Sequence, residues 1–499
     1  MRKTALVCVS FIAFLMLTHY FTKEISFALC LALVLGVVIA LIMKRNAALL
    51  TLIACAAICA NLIMGAIDTR FSLIRERYVD EAYNGRVKVV EVLQNSRAYV
   101  KVVSLDGIGQ GAYFNLLCSF EPGASIQKGD LIDAKLYMYA LEDAQGFPSR
   151  LYNEGKGTVL KARAYNASLV SRSSLWSLHS EMVSYIEGVF DEYLGDFADL
   201  SKALFLGSKT TLDSEQKSAL SDLGIIHVLS VSGLHFAILI GLFSSVLKAF
   251  KLHKALSSSI VAVFALFYMF LTGFSPSVCR AGIMSFFVIF DFVLRRSPDK
   301  LTTLSLTGAL MCLADPTAAI NISFQLSFLA TFGLIAGSNC ISIPLKVELD
   351  EKPFGKSVQN ILSSVVLSLC AMFFCLAPIA YSFKSISLLA PVANLVCTPF
   401  AELMLVLAFL LMPISVLPHF ARIFGLIYQG VGHVFTFLCS ILNNERLVLH
   451  FENKALVFSC ALLTAFCILL FLISYKRKKA ALLVFVTGSA ALSVVCSFL

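Results

Sequence analysis

Charge is scarce in this chain. Of its 499 residues 58% are hydrophobic and only 14% are Asp, Glu, Lys or Arg. A soluble chain of that length would fold as several domains under a far more charged surface, so the composition argues against a soluble class. The fifteen cysteines contain no CxxC pair and no Cys/His spacing suited to zinc. All but Cys118 fall in or near apolar stretches, so they read as small buried hydrophobes rather than a disulfide framework. No Walker A loop is present, which excludes nucleotide hydrolysis of that type by the chain itself. No HxHxDH-type zinc motif occurs either, and no cofactor or metal is expected. Internal repeats and low-complexity tracts are absent.

Long apolar runs are what the chain has instead. They predict a polytopic α-helical membrane protein of about 11–13 spans or half-spans. Three spans open it, at 5–21, 25–43 and 47–67. The first is read as an anchor and not as a cleaved leader. Later spans are expected at 225–250, 256–274, 278–294, 301–313, 320–338, 361–381, 402–417, 423–442, 456–474 and 480–498. The net charge of +9 gathers at span ends: Arg2-Lys3, Lys44-Arg45, Lys248 to Lys254, Arg295 to Lys300 and Lys476 to Lys479. Placing those clusters in the cytoplasm puts the N-terminus inside, and residues 71–172 and the C-terminal Leu499 outside.

Residues 71–172 change character. Short alternating segments at 85–92, 98–105, 111–120, 130–140 and 157–165 are separated by Asp106-Gly107, Glu121-Pro122-Gly123 and Lys128-Gly129-Asp130. Five short strands bounded by turns predict a small β-barrel, OB-like in type. After it, Leu175, Leu178, Met182, Ile186, Val189, Tyr193 and Phe197 recur at helical spacing opposite Glu181, Glu187 and Asp191, an amphipathic helix. The expected domains are N-terminal transmembrane helices (1–70), the outside barrel (71–172), the amphipathic helix (173–200), a transmembrane core (201–455) and a C-terminal transmembrane hairpin (456–499).

Polar side chains inside membrane spans are costly and mark functional sites. Four clusters stand out. HVLSVSGLHFAILIG, residues 227–241, carries His227, Ser230, Ser232, Gly233 and His235. On one continuous helix the two histidines would share a side. TGFSPSVCRAG, 272–282, breaks a helix at Gly273 and Pro276 and then places Arg280 in the next span. DPTAAINISFQLSFLATFG, 315–333, offers Asp315, then Asn321 and Gln325 at i,i+4, with Ser323 and Ser327 nearby. In the fourth, Pro378, Pro391 and Pro399 bracket a stretch too short to cross, with Asn394 inside it. A broken or re-entrant helix is tolerated there only where protein or water solvates the backbone. Together these describe a polar interior with one fixed cation. Ser232 and His235 lack an oriented acid and evident oxyanion donors, so no hydrolase is expected.

The run LFLGSKTTLDSEQKSALSDLGIIHVLSVSGLHFAILIG, 204–241, closely resembles the signature of the ComEC competence family. GFSPSVCRAGIM (273–284), DPTAAINISFQLSFLATFG and PVANLVCTPF (391–400) follow in the family's order, and FPSRLYNEGKG (147–157) resembles the end of its OB-like domain. The resemblance covers nearly the whole chain. It implies a channel in the bacterial inner (cytoplasmic) membrane that takes up single-stranded DNA derived from transforming double-stranded DNA. Channel-lining roles fall to His227, Ser230, Ser232, Gly233, His235, Arg280, Asp315, Asn321, Gln325, Ser327 and Asn394. Many members continue into a metallo-β-lactamase-like domain, whereas this sequence stops at Leu499, as a short form would. Its expected partners are membrane lipid, an external DNA receptor, a separate nuclease and a cytoplasmic DNA-translocating ATPase.

Residues 71–170 hold twelve Lys and Arg against eleven Asp and Glu, a net of only +1. DNA binding by the barrel would therefore rest on local groups: Arg86, Lys88, Arg97 and Lys101, with Tyr99, Tyr113 or Tyr139 for stacking. The alternative function is a small-molecule transporter or polytopic membrane enzyme on the same scaffold.

Overall fold

The computed structural model describes residues 3–20, 32, 47–94, 96–106, 114–123, 126–143, 148–208, 212–229, 231–293, 299–341, 355–443 and 448–450. The expected span at 25–43, Tyr113, Ser230 and the hairpin at 456–499 lie outside these residues. The chain divides into two compact units. One comprises Val7–Gly188 and Ala309–Ile322; the other comprises Met1–Leu6, Val189–Gly308 and Ser323–Leu499.

The first unit begins with two apolar helices, α1 (Lys3–Tyr20) and α2 (Ala47–Tyr78). Both are long and apolar enough to cross a membrane. Five strands follow: β1 (Ala82–Val92), β2 (Arg97–Leu105), β3 (Asn115–Ser119), β4 (Leu131–Ala140) and, after the short helix α3 (Ser149–Glu154), β5 (Thr158–Ser171). They close a barrel in the order β1-β2-β3-β5-β4, with β3 and β5 parallel and the other pairs antiparallel. Closure removes the exposed sheet edges that small β domains otherwise have to cover. Alternation does the rest. Val87, Val100, Leu116, Leu136, Met138 and Leu160 point inward and are fully enclosed, each contributing about 1.5–3 kcal/mol of burial. Phe71, Ile74 and Tyr78, at the end of α2, join that core.

A charged network ties the helices of this unit to the barrel. Glu154, at the end of α3, is 5% exposed. Its carboxylate meets Arg75 of α2, Arg150 Nε at 2.9 Å and His19 Nε2 at 3.4 Å. His19 Nδ1 in turn lies 2.9 Å from Asp68 Oδ1. Burial pushes the Glu154 carboxyl up, but the hydrogen bonds from His19 and Arg150 and the charges of Arg75 and Arg150 outweigh it and hold it down at about 2. Immediately after α3 the backbone is crowded. Asn321 Nδ2 donates to Gly155 O at 2.9 Å, and a Cβ at 155 would stand 2.8 Å from Asn321 Cα.

In the second unit, the amphipathic helix α4 (Ser174–Tyr193) leads in from the first. Its stripe is buried only at its C-terminal part: Ile186, Val189 and Tyr193 are enclosed, whereas Leu175 and Leu178 are 57% and 51% exposed. Then come α5 (Ala198–Leu206), α6 (Ser214–Asp222), α7 (Gly233–Ala249), α8 (Lys254–Leu271), α9 (Pro276–Val293), α10 (Lys300–Ala314) and α11 (Ile322–Ile341). The remaining elements are α12 (Gly355–Ser382), β6 (Ser385–Ser387), α13 (Ala390–Val396), α14 (Thr398–Ile414), α15 (Pro418–Leu442) and β7 (Val448–His450). Small residues set the close approaches expected of membrane helices. A Cβ at Gly333 or Gly337 of α11 would come within 2.7 Å or 2.8 Å of Cys370 in α12. Ser201 Oγ and Tyr428 Oη share a 2.6 Å hydrogen bond between α5 and α15.

Four described helices pass the length and apolarity test for a span: α1, Ala48–Tyr78 of α2, Ser363–Ser382 of α12, and α15. A fifth forms if α13 and α14, bent by 41°, count together. Five more are apolar but shorter, α7 to α11. This is a helix-rich membrane protein carrying a small five-stranded barrel.

Removing the Glu154 charge should leave three cations facing one another. Glu154→Gln is expected to lower the stability of the barrel unit by about 3–5 kcal/mol at neutral pH. Because the carboxyl is depressed in the folded state, its contribution is complete above the ordinary carboxylate range and is lost as pH falls toward 2. Hydrogen exchange at the amides of Leu116 and Leu160 reads this directly: the wild-type advantage should shrink with acid.

A candidate conduit site around Arg280

The sequence predicted one continuous span at 225–250. The structure breaks it. Ile226–Leu229 is a 3₁₀ turn, Val231 and Ser232 are not helical, and α7 starts at Gly233. Ser232 is the N-cap, its Oγ accepting from His235 N at 3.2 Å, which satisfies one of the free amides at the helix start. His227 and His235 therefore do not share a helical side: His227 is exposed on the turn and His235 is 2% exposed within α7. His235 Nδ1 is buried and has no hydrogen-bond partner among the described residues.

Arg280 is delivered by a second break. Gly273 and Phe274 both take positive φ, +66° and +58°, which reverses the chain after α8. Pro276 then begins α9 at a position where its missing N–H costs nothing. Arg280 sits in the second turn of α9 and is 8% exposed. Its Nε donates to Ser327 Oγ of α11 at 2.7 Å, and its Nη1 lies 3.6 Å from Met284 Sδ. The guanidinium carbon is 5.9 Å from the centroid of the Phe328 ring. Nη2 lies against Gly233, where a Cβ would overlap the guanidinium. A side chain at the start of α7 would displace the tip of the guanidinium.

No carboxylate pairs with Arg280 among the described residues. A buried lone cation is expensive, several kcal/mol even after relaxation, and of the five guanidinium N–H groups three have no described protein acceptor.

The other predicted residues divide. Gln325 is buried within α11. Asn394 on α13 lies 3.3 Å from Ser368 Oγ of α12 and 3.4 Å from Thr398 Oγ1, inside the bent α13–α14 pair. Asp315 and Asn321 both precede α11. Asp315 is an exposed N-cap whose Oδ1 accepts from Thr317 N and Oγ1 at 3.0 and 2.7 Å. Asn321 precedes α11 in extended conformation and holds Gly155, so it does not share a helical face with Gln325. Met284 and Phe328 escaped notice in the sequence. Met284 lies one turn beyond Arg280, a signal that was available; Phe328 carries none.

On the barrel, Tyr99 is corrected as a stacking platform. Its ring is 6% exposed, its hydroxyl donates to Asn153 Oδ1 at 2.8 Å, and Lys156 Nζ covers the ring at 4.3 Å from its centroid. Burial pushes the Tyr99 hydroxyl up to about 12. Arg86 is held by Asp133 through two hydrogen bonds of 2.7 and 2.8 Å, so its charge is already answered. Lys88, Arg97 and Lys101 are exposed, with Lys88 and Lys101 directly opposite across β1 and β2.

Residues 204–478, more than half the chain, match the family model described as Competence protein. Three curated relatives are similar at low identity. ComE operon protein 3 of Bacillus subtilis is 26% identical over 225 residues, 45% of this chain and 27% of its own length. The MG316 homolog of Mycoplasma pneumoniae is 28% identical over 243 residues, 48% of this chain and 57% of its own. Recombination protein 2 of Haemophilus influenzae is 28% identical over 213 residues, 41% of this chain and 27% of its own. The chain thus matches between about a quarter and somewhat over half of these relatives' lengths. No solved structure matches.

The cation and the glycine should be coupled energetically. Gly233→Ala is expected to cost about 1–3 kcal/mol by overpacking. In an Arg280→Met background that cost should largely vanish, since the two changes share one contact. Arg280→Met alone should hold or raise the thermal midpoint in detergent. A midpoint that drops by many degrees would make Arg280 a structural clamp.

Proposed function

Because the chain belongs to the competence protein family, we propose that it forms the path by which single-stranded transforming DNA crosses the bacterial cytoplasmic membrane. The observation that carries this reading is Arg280: a buried cation with a hydroxyl, a thioether and a ring for neighbours and no described carboxylate. A phosphodiester is a fitting counter-charge, because its anionic oxygens accept the parallel N–H bonds a guanidinium presents. One fixed charge also suits passage, since a site that binds too well does not release. Gly233 and Ser327 lie against Arg280, and Ser232, His235, Gln325 and Asn394 add hydroxyl, imidazole and amide groups without fixed charge in the same unit. The printed names of the relatives, a competence operon protein and a recombination protein, agree with a role in DNA uptake.

The barrel is read as OB-like on its strand order, β1-β2-β3-β5-β4 with closure between β1 and β4. The basic clusters at span ends support an N-terminus inside and the barrel outside. The chain itself is read as a conduit and not as an enzyme. Its sequence has neither a Walker A loop nor an HxHxDH motif, so the second strand's degradation and the pulling force are assigned to a separate nuclease and a cytoplasmic ATPase, and initial capture to an external receptor.

Membrane abundance and uptake of labelled DNA measured in the same cells test the conduit. Arg280→Gln and Ser327→Ala should leave abundance near wild type while uptake falls at least tenfold, and Gly233→Leu should block uptake. Uptake that falls only in proportion to abundance would return these residues to packing. Uptake unaffected by deleting the whole protein would favour the small-molecule transporter. For topology, a reporter fused after Arg150 should read outside; an inside reading overturns the orientation.

A further inference from the structure

We propose that the outward face of β4 and β5 is where the barrel receives a single strand of DNA, a surface that takes in Tyr139 but none of the β1–β2 cations that the sequence suggested. This rests on the DNA-uptake reading above and adds a binding site to it.

Three successive cross-strand pairs make the face: Lys135 with Tyr165, Tyr137 with Arg163, and Tyr139 with Lys161. Every pair joins one aromatic ring to one cation. Tyr137 and Tyr165 are 42% and 41% exposed, Lys135 and Arg163 are exposed, and Tyr139 and Lys161 are half-buried. The Arg163 guanidinium carbon lies 5.8 Å from the Tyr165 ring centroid. Among the described residues no carboxylate pairs with any of the three cations. Asp133, farther along the same face of β4, is already taken by Arg86. In a domain whose net charge is only +1 over residues 71–170, a local excess of three uncompensated cations sets this face apart.

The chemistry points to one ligand class. Exposed rings stack on unpaired bases of any sequence, and cations beside them meet the phosphates between those bases. Same-face residues on a strand repeat about every 6.6–6.8 Å, so three ring–cation pairs follow one another at that interval across the two strands, as bases and phosphates follow one another along an extended strand. A duplex keeps its bases stacked inside and offers the rings nothing. An OB-fold commonly uses its β2–β3 face for such ligands. Here Lys156 and Asn153 cover Tyr99 on that side, which leaves the β4–β5 face open.

Full-length protein in detergent, titrated with a dye-labelled oligodeoxythymidine, tests this by fluorescence anisotropy. The Tyr137→Ala/Tyr165→Ala variant should bind at least tenfold more weakly, and the Tyr137→Phe/Tyr165→Phe variant should retain binding because the rings remain. Lys135→Gln/Lys161→Gln/Arg163→Gln should flatten the slope of log affinity against log salt by about 2, at roughly 0.7 per lost phosphate contact. Hydrogen exchange in the barrel core confirms that each variant is folded. Unchanged affinity and salt slope in the folded β4–β5 variants overturns the proposal. So does Lys88→Gln/Lys101→Gln losing the affinity that those variants keep, which places the strand on β1–β2. Wild-type protein that binds no oligonucleotide, in cells that still need it for uptake, overturns this face and leaves the conduit standing. Uptake independent of the protein overturns the conduit.

Discussion

A buried positive charge that no described carboxylate pairs organises the helices around it in this protein. Arg280 is held by Ser327 across from α9 to α11, and the tip of its guanidinium occupies the space beside Gly233 that a side chain would take. Two chain breaks make that arrangement possible. One frees the start of α7 so that Gly233 approaches Arg280; the other turns α8 into α9 through Gly273 and Phe274. A continuous helix at either place would have put these residues elsewhere. The breaks, the glycine and the serine together hold one buried cation that no described carboxylate pairs.

The same chain knows how to answer a buried charge. Glu154 is surrounded by Arg75, Arg150 and His19, and its depressed carboxyl shows the charges balancing. Lys202, 6% exposed, is likewise met by Asp191 and Asp199 at 2.6 and 3.1 Å. Against those two Arg280 stands apart: among the described residues no carboxylate pairs with it. Buried pairing stiffens a fold by making removal of either partner costly. A buried cation without such a partner forgoes that stabilisation.

Much of this was legible in the sequence, and the reasons differ by element. The barrel strands were visible because alternation of period two is a local signal, and Val87, Val100 and Leu136 alternate with polar neighbours. The apolar helices were visible by hydropathy. What failed was register and partnership. His227 and His235 look co-facial only if Ser232 is helical, and its capping role is set by a hydroxyl reaching an amide three residues on. Asn321 and Gln325 are separated by the same kind of boundary. Tyr99 was misread because its cover, Asn153 and Lys156, lies more than fifty residues away in sequence. Arg86 lost its free charge to Asp133 for the same reason. Arg280 itself was singled out by composition, but its isolation from carboxylates is a three-dimensional fact.

The central claim is that a DNA strand passes beside Arg280. Its most direct measurement is a crosslink. A photoreactive phenylalanine analogue in place of Phe328, whose ring lies 5.9 Å from the Arg280 guanidinium, with uptake of a labelled strand arrested by a bulky group at its trailing end, should yield a covalent protein–DNA adduct on illumination. The same residue in place of Phe420, 65% exposed near the start of α15, should yield none. An adduct at 328 that depends on the arrested strand is the predicted result. Arrested strand with no adduct at 328, in protein that still takes up DNA, would contradict the account.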